Sequence, residues 1–330
     1  MSFIQALIGS VTSAGGGVPL DITTTGGTRN EVGIYSYHTW TSNDSYTLNT
    51  AADRDIDWCI IGGGGSGGKC QGGTGQPGAG AGAGEQVYGT YVNQPAGTWN
   101  CVIGAGGAGV PGSGNPTPWW YGNQGNQTYS SQTSGSGGDQ CRANGGGFGN
   151  TYQPFGLWYT GAPGGCGGGG SGGYGASTGG GSASPYSPNP AWTTSRSTAG
   201  GNGSYNSSAH TASGGGGGIG GAGGHASNQY PWNFYASPIS SGPAGIGAYH
   251  ALTDGSTSVG GGAGITGVGG AGAVGGGAGN TAPSGVAASI TGATVDAPAG
   301  SGSGSSCANE NYYTGAGGSG YVIIRWVTLV

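Results

Sequence analysis

Glycine fills 88 of the 330 positions, and it comes in tracts such as GAGAGAG over residues 78–84 and GGGGG over residues 214–218. Each glycine disfavours an α-helix by about 1 kcal/mol relative to alanine, and a strand loses packing wherever a side chain is missing. What remains open to such a chain is the extended, left-handed helix of the polyproline-II type, with about three residues per turn. That helix makes no hydrogen bonds within itself, so buried copies must bond to one another. Glycine permits this, because a face without Cβ lets two backbones approach for N–H···O=C and Cα–H···O contacts. Local spacings of three fit the same helix: Gly215, Gly218, Gly221 and Gly224, and again Gly261, Gly264, Gly267 and Gly270. Collagen is excluded, since the tracts break the strict rule of glycine at every third position. The expectation is a stacked bundle of polyglycine-II helices.

Disorder is the other fate open to a glycine-rich chain, but disordered chains are poor in aromatics and rich in charge. This one has 9 Trp, 18 Tyr and 4 Phe, and only 5% of it is charged. Its β-branched and aromatic residues gather in short runs bounded by turn residues: Val32–Trp40, Ser45–Leu48, Asp55–Ile61, Gln86–Val92 and Thr98–Ile103. The last two are joined by NQPAG and read as a hairpin. The chain closes on its most strand-like segment, Gly320–Leu329. We therefore expect an all-β, partly irregular fold in which both chain ends build one small β-sandwich. Residues 30–103 plus 319–330 form the sandwich, residues 104–318 the inserted polyglycine-II bundle, and residues 1–29 an N-terminal attachment segment.

Aromatic and proline residues punctuate the glycine-rich stretch as islands. These are NPTPWWYGN with Trp119, Trp120 and Tyr121; YQPFGLWY with Trp158 and Tyr159; SPYSPNPAW with Trp192; and QYPWNFY with Trp232 and Tyr235. From Trp119 the steps to Trp158, Trp192 and Trp232 are 39, 34 and 40 residues, a loose period that reads as an array of supersecondary units. Every chain reversal of a bundle lies at one of its two ends, and glycine flanks offer no side chains for discrimination. The islands are thus expected to cluster at one end, away from the sandwich, and to carry recognition.

Catalytic and cofactor readings find little support. With 6 Lys+Arg against 11 Asp+Glu the net charge is −5, which removes the positive footprint that phosphate backbones require, so nucleic acid is not an expected partner. No run of about 20 apolar residues predicts membrane insertion. GGGSGGKC over residues 63–70 satisfies GxxxxGK, but Cys70 stands where a P-loop needs Ser or Thr. GAGGAG over residues 104–109 matches GxGxxG, yet VPGSGNPTP follows it where a pyrophosphate-binding helix would have to start. Asp53, Asp55 and Asp57 fall on one strand face, open to a solvated reading or to Ca²⁺, with no fourth oxygen ligand evident. His38, His210, His225 and His250 are scattered and match no catalytic spacing. We expect no enzyme activity, cofactor or metal. The six cysteines show no CxxC; they are either small core residues or disulfide partners, and Cys59 and Cys101, on strands expected to be neighbours, are the first pair to test.

Two features together resemble known proteins. DWCIIGGGGSGG followed by GTYVNQPAGTWNCVIGAGG and closed by GGSGYVIIRW looks like the glycine-rich domains of phage tail proteins. The alternation of glycine tracts with aromatic islands over residues 104–318 is similar in architecture to the tip adhesins of T-even-type long tail fibres, with their polyglycine-II bundles. The resemblance implies a virion protein, exposed on the particle after assembly in the host cytoplasm. It would be a tail-fibre tip adhesin whose partners are a host surface glycan or outer-membrane protein and other virion proteins, including copies of itself. Trp119, Trp120, Tyr121, Trp158, Tyr159, Trp192, Trp232 and Tyr235 would then be its receptor-binding residues. A structural virion component (fibre shaft, capsid decoration or tail connector) and a non-viral surface filament protein are the alternatives; in them the islands serve self-assembly.

Overall fold

A computed structural model of the chain describes residues 22–32, 34–49, 55–68, 78–111, 121–133, 140–150, 160–173, 176–187, 189–206, 210–226, 248–249, 258–259, 296–297, 300–305 and 314–327. Among the described residues the fold is all-β, without a helix. The strands are β1 (Ile22–Thr24), β2 (Thr28–Val32), β3 (Tyr35–Trp40), β4 (Asp44–Leu48), β5 (Ile56–Ile61), β6 (Gln86–Tyr91), β7 (Gly97–Val102), β8 (Thr128–Gln132) and β9 (Gln140–Ala143). They continue with β10 (Gly172–Gly173), β11 (Ala176–Ser177), β12 (Thr193–Arg196), β13 (Ser204–Asn206), β14 (His210–Ala212), β15 (Ala248–Tyr249), β16 (Ser258–Val259) and β17 (Tyr321–Val327). A five-stranded sheet in the order β1-β4-β7-β8-β9 faces a six-stranded sheet in the order β12-β6-β5-β17-β3-β2. Every neighbouring pair in both is antiparallel.

The sandwich draws on more of the chain than residues 30–103 and 319–330. β1 comes from the expected attachment segment, and β8, β9 and β12 come from the expected insertion. The C-terminal strand does lie at the heart of its sheet, between β5 and β3. Alternation with a period of two sorts the side chains: along β3, Ser36, His38 and Trp40 are buried while Tyr35, Tyr37 and Thr39 are half-buried. Between the sheets lie Trp40, Tyr46, Trp58, Trp99, Ile324 and Trp326. Their rings meet edge-on or stacked, with Trp58 and Trp99 centroids 5.1 Å apart and Trp40 and Tyr46 5.5 Å apart. Buried Gln94 ties two of them together, accepting from Trp58 Nε1 at 3.1 Å and donating to the Tyr46 hydroxyl at 2.8 Å.

That glutamine explains a correction. NQPAG does not close a hairpin; it carries the chain from β6 in one sheet to β7 in the other. Asn93, at φ 52°, starts the crossing, and Gln94 turns inward to the aromatic core. Cys59 and Cys101 are therefore not neighbours and form no disulfide. Cys101 faces the space between the sheets, whereas Cys59 faces the opposite side of the six-stranded sheet, with Ile61, Cys166, Ile219, Tyr321 and Ile323.

Among the described residues the glycine tracts do not stand apart from the sandwich. They continue the strands: 62–68 runs on from β5, 78–85 leads into β6, 104–111 follows β7, 121–127 precedes β8, 144–150 follows β9, 197–203 follows β12 and 314–320 precedes β17. Antiparallel neighbours alternate between leaving and entering, so all these extensions emerge at one end of the sandwich. There the distinction between sheets dissolves. Sandwich sheets stand about 10 Å apart because side chains fill the gap; without side chains, Gly63 N bonds straight across to Asn126 O at 3.0 Å.

Segment 62–68 is the axis of this lattice and is fully buried. Gly62, Gly65 and Gly68 donate to Glu85, Gly82 and Ala79, steps of three on both sides. Gly63 and Ser66 donate to Asn126 and Asn123, and Gly64 donates to Gly318. Carbonyls of the same segment accept from Gly146 and Gly149, from Gly107, and from Ser305. Six surrounding segments thus bond to one helix with a repeat of three, the hydrogen-bonding of polyglycine II. The glycines here have negative φ, so their freedom at positive φ is not what is used. What is used is the missing Cβ: at Gly64 it would fall on the Ser303 carbonyl, and at Gly216 on the Ala81 carbonyl.

The spacing of three over residues 215–224 hides a fold-back. Gly218 and Gly221 bond to each other across Ile219 and Gly220, at 2.9 and 3.3 Å, and Gly215 N bonds to Gly224 O at 3.0 Å. Two short antiparallel lattice segments stand where one helix was expected. The run Gly261, Gly264, Gly267 and Gly270 lies outside the described residues.

Candidate functional site

The lattice has a sandwich end and a loop end. At the loop end the described chain stops at Gly68, Pro111, Asn150, Ala226 and Ser305, and resumes at Gly78, Tyr121, Thr160 and Thr314. Hydrogen bonds gather these points into one surface. Gly68 N bonds to Ala79 O, Ala79 N to Asn150 O and Gly122 N to Gly149 O, at 3.0, 2.8 and 3.1 Å. Val110 N donates to Thr314 Oγ1 at 2.6 Å, and Thr314 N returns the bond to Val110 O at 3.0 Å. Ala226 N reaches Asn202 O at 2.9 Å. The ribbons β10–β11 and β13–β14 pack together nearby.

Tyr121 stands on this surface, stacked on Phe148 with centroids 5.1 Å apart and planes 24° from parallel. Both rings are half-buried. Trp119, Trp120, Trp158, Tyr159, Trp232 and Tyr235 lie outside the described residues. The stretches that hold them connect to the lattice here: 112–120 between Pro111 and Tyr121, 151–159 between Asn150 and Thr160, and 227–247 after Ala226.

Trp192 belongs elsewhere. Its ring packs on the sandwich core, 5.8 Å from Trp58 and 4.9 Å from Tyr91, and β12, which follows it, pairs with β6. The island that carries it is a strap over one side of the sandwich. Tyr186 N donates to Glu85 Oε2 at 2.9 Å. Asn189 behaves like a strand residue: its Oδ1 accepts from Arg142 N and its Nδ2 donates to Arg142 O, both at 2.9 Å, which closes the free edge of β9. A Cβ at Gly89 would meet the Trp192 ring at 2.9 Å, so a glycine in the middle of β6 makes the room.

Glu85 is the fulcrum of that junction and was invisible as a site residue. It is fully buried and accepts from Asn144 N at 2.9 Å, from Tyr186 N and from the Ser195 hydroxyl, so it binds β9's extension, the strap and β12 together. Burial raises its carboxyl pKa above the ordinary range, against those hydrogen bonds, which lower it. The available signal was a lone acid between a glycine tract and a strand.

Several of the remaining candidates are already engaged. Every backbone N–H from Gly62 to Gly68 is already donated, Gly67 N to Ser305 Oγ and the others to carbonyls, so this stretch of the GxxxxGK match has no N–H left for a phosphate; Lys69 and Cys70 lie outside the described residues. Asp57 holds Arg325 through Nε at 2.9 Å and Nη2 at 2.6 Å, and accepts from Thr90 Oγ1 at 2.7 Å. Burial pushes the Cys101 and Cys166 thiols up to about 12, so neither is a thiolate at neutral pH.

A family model described as a glycine-rich domain matches residues 41–327, from just after β3 to the last residue of β17. A comparison with curated proteins finds no match.

Proposed function

The chain belongs to the glycine-rich domain family, and from that premise we propose that it is a phage virion protein, the adhesin at a tail-fibre tip. One observation carries the reading: three of the four aromatic islands join the lattice at a single surface, at the end away from the sandwich. The lattice is a rigid stalk whose flanks are mostly backbone, so specificity falls to the residues at its tip. Trp119, Trp120, Tyr121, Trp158, Tyr159, Trp232 and Tyr235 supply it, because aromatic rings give large contact area at low entropic cost. The receptor is a host surface glycan or outer-membrane protein, and the sandwich serves attachment to other virion proteins. Trp192 leaves this set, since its ring is spent on the core.

A structural reading, in which the islands cement virion subunits, gains weight from the strap, where one island does hold its own chain together. Adsorption separates the two. Particles carrying Trp119→Ala, Trp120→Ala, Trp158→Ala and Tyr159→Ala should assemble and fail to bind host cells, because interface energy concentrates in a few aromatic anchors. Normal adsorption would refute the adhesin, and failed assembly by a chain that still folds would favour the structural role.

A further inference from the structure

A helix with three residues per turn presents three rows of N–H groups and three rows of carbonyls. Along 62–68 every N–H is taken; the outer segment 104–111 is only partly engaged. Gly104, Gly107 and Val110 donate inward, to Thr128 Oγ1, Gly64 O and Thr314 Oγ1. Their carbonyls accept from the backbone of Gly320, Gly317 and Thr314. The carbonyls of Ala105 and Ala108 accept from Asn126 N and Asn123 Nδ2. The other three rows are idle. The N–H groups of Ala105 and Ala108, and both the N–H and the C=O groups of Gly106 and Gly109, have no hydrogen-bond partner among the described residues. Ala105 and Ala108 are exposed, and Gly106 and Gly109 are half-buried.

We propose that this flank is an open lattice edge that pairs with the same flank of a second copy of the chain. The idle groups recur at every third residue, about 9 Å along the axis. A β-strand offers its outward groups at every second residue, about 7 Å apart, and the interior of an α-helix has none to spare. Among regular backbones, then, another helix with three residues per turn is the match, as it is for the segments around 62–68. Segment 104–111 is such a helix and carries donors and acceptors alike. A two-fold axis that sets two copies antiparallel lets Ala105 and Ala108 of each donate to Gly106 and Gly109 of the other, in one isologous contact. The exposed methyls are no bar, since Ala81 and Ala83 are fully buried within the lattice. Neither 104–111 nor the adjoining 121–127 holds a charged residue, so no like charges meet at the contact. The flank lies between the sandwich and the loop end, and its pairing does not depend on the adhesin reading.

Sedimentation of the full chain over a range of concentrations, with amide hydrogen exchange on the same samples, tests it. A concentration-dependent dimer is expected, with exchange at Ala105, Gly106, Ala108 and Gly109 slowing as it forms. The double substitution Ala105→Pro and Ala108→Pro removes two donors that the monomer does not use, and proline's fixed φ suits this helix. It should melt like the parent at high dilution and dimerise at least about a hundredfold more weakly, since each copy loses two donors. Ala108→Glu, at an exposed position, should also weaken the dimer by setting two carboxylates across the contact. A chain that stays monomeric at every concentration would overturn the proposal, as would a dimer untouched by either variant. So would slow exchange at these four amides regardless of dilution, which would mean that another segment of the same chain covers the flank.

Discussion

The sandwich and the lattice are consecutive stretches of the same strands, yet opposite parts of the residue hold them together. In the sandwich, side chains such as Trp58, Trp99 and Ile324 fill the space between sheets, and the backbone bonds only within each sheet. One residue beyond β5 the side chains stop, the sheets close on one another, and backbone groups bond in every lateral direction. Hydrophobic burial drives the first region. The second gains little from it and rests on satisfying every polar group of the main chain. Tolerance to substitution should therefore invert at the junction.

The largest expected effect follows from that inversion. Gly64→Val and Ile60→Val install the same side chain four residues apart. Ile60→Val trims one methylene from a core that can relax, at a cost of about 0.5–1.5 kcal/mol. Gly64→Val drives a branched side chain onto the Ser303 carbonyl, and six bonded neighbours cannot give way together. Its cost should reach or exceed the upper end of the roughly 1–3 kcal/mol seen for overpacking. Denaturant midpoints of the two variants measure the difference. Equal losses would mean that the lattice is soft and that the contrast between the regions is false.

Particular residues show how far the sequence disclosed this arrangement. Tyr35–Trp40 and Tyr321–Val327 were legible as strands because alternation and β-branching are local signals. The lattice was legible because glycine left the chain no other ordered form. The crossing at NQPAG was not, since a hairpin and a sheet-to-sheet arch share those turn residues, and the choice lies with the burial of Gln94 against Trp58 and Tyr46. The fold-back at Ile219 and Gly220 was hidden for a related reason: a period of three survives when a glycine tract reverses, because reversal costs glycine almost nothing. Trp192 has the same neighbours in sequence as the other islands. Its place was decided by β12 pairing with β6 and by the gap at Gly89, a mid-strand glycine at a close approach.

A smaller effect sharpens the comparison through pH. His38, inside the sandwich, has its pKa lowered, mainly by burial. Its folded value lies below the unfolded 6.5, so the unfolded chain binds more protons and stability is lost as pH falls through that window. Glu85, at the junction, has its pKa raised by burial. Its folded value lies above the unfolded one, so stability is greatest below the unfolded value and is lost as pH rises through the folded one. The two slopes oppose each other. Glu85→Gln removes the second, and its stability should fall more steeply than that of the parent as the solution is acidified from pH 6 towards about pH 4. Parallel melting curves for the two proteins across that range would show that Glu85 carries no proton linkage.

The smallest effect expected is an absence of reaction that separates the native state from its unfolding. Cys101 is buried between the sheets and Cys166 within the lattice, so one thiol reports on each region. With both pushed up to about 12 by burial, neither offers a thiolate to an alkylating reagent at neutral pH, and both should label only when their surroundings open. Pulse alkylation along a denaturant series, with peptide mass analysis, reads the two sites in one sample. Simultaneous labelling would show that sandwich and lattice open as a single cooperative unit, as the shared strands β5, β6 and β17 require. Labelling of Cys166 at a denaturant concentration where Cys101 is still protected would break that unity and make the lattice the weaker region, able to open while the side-chain core persists.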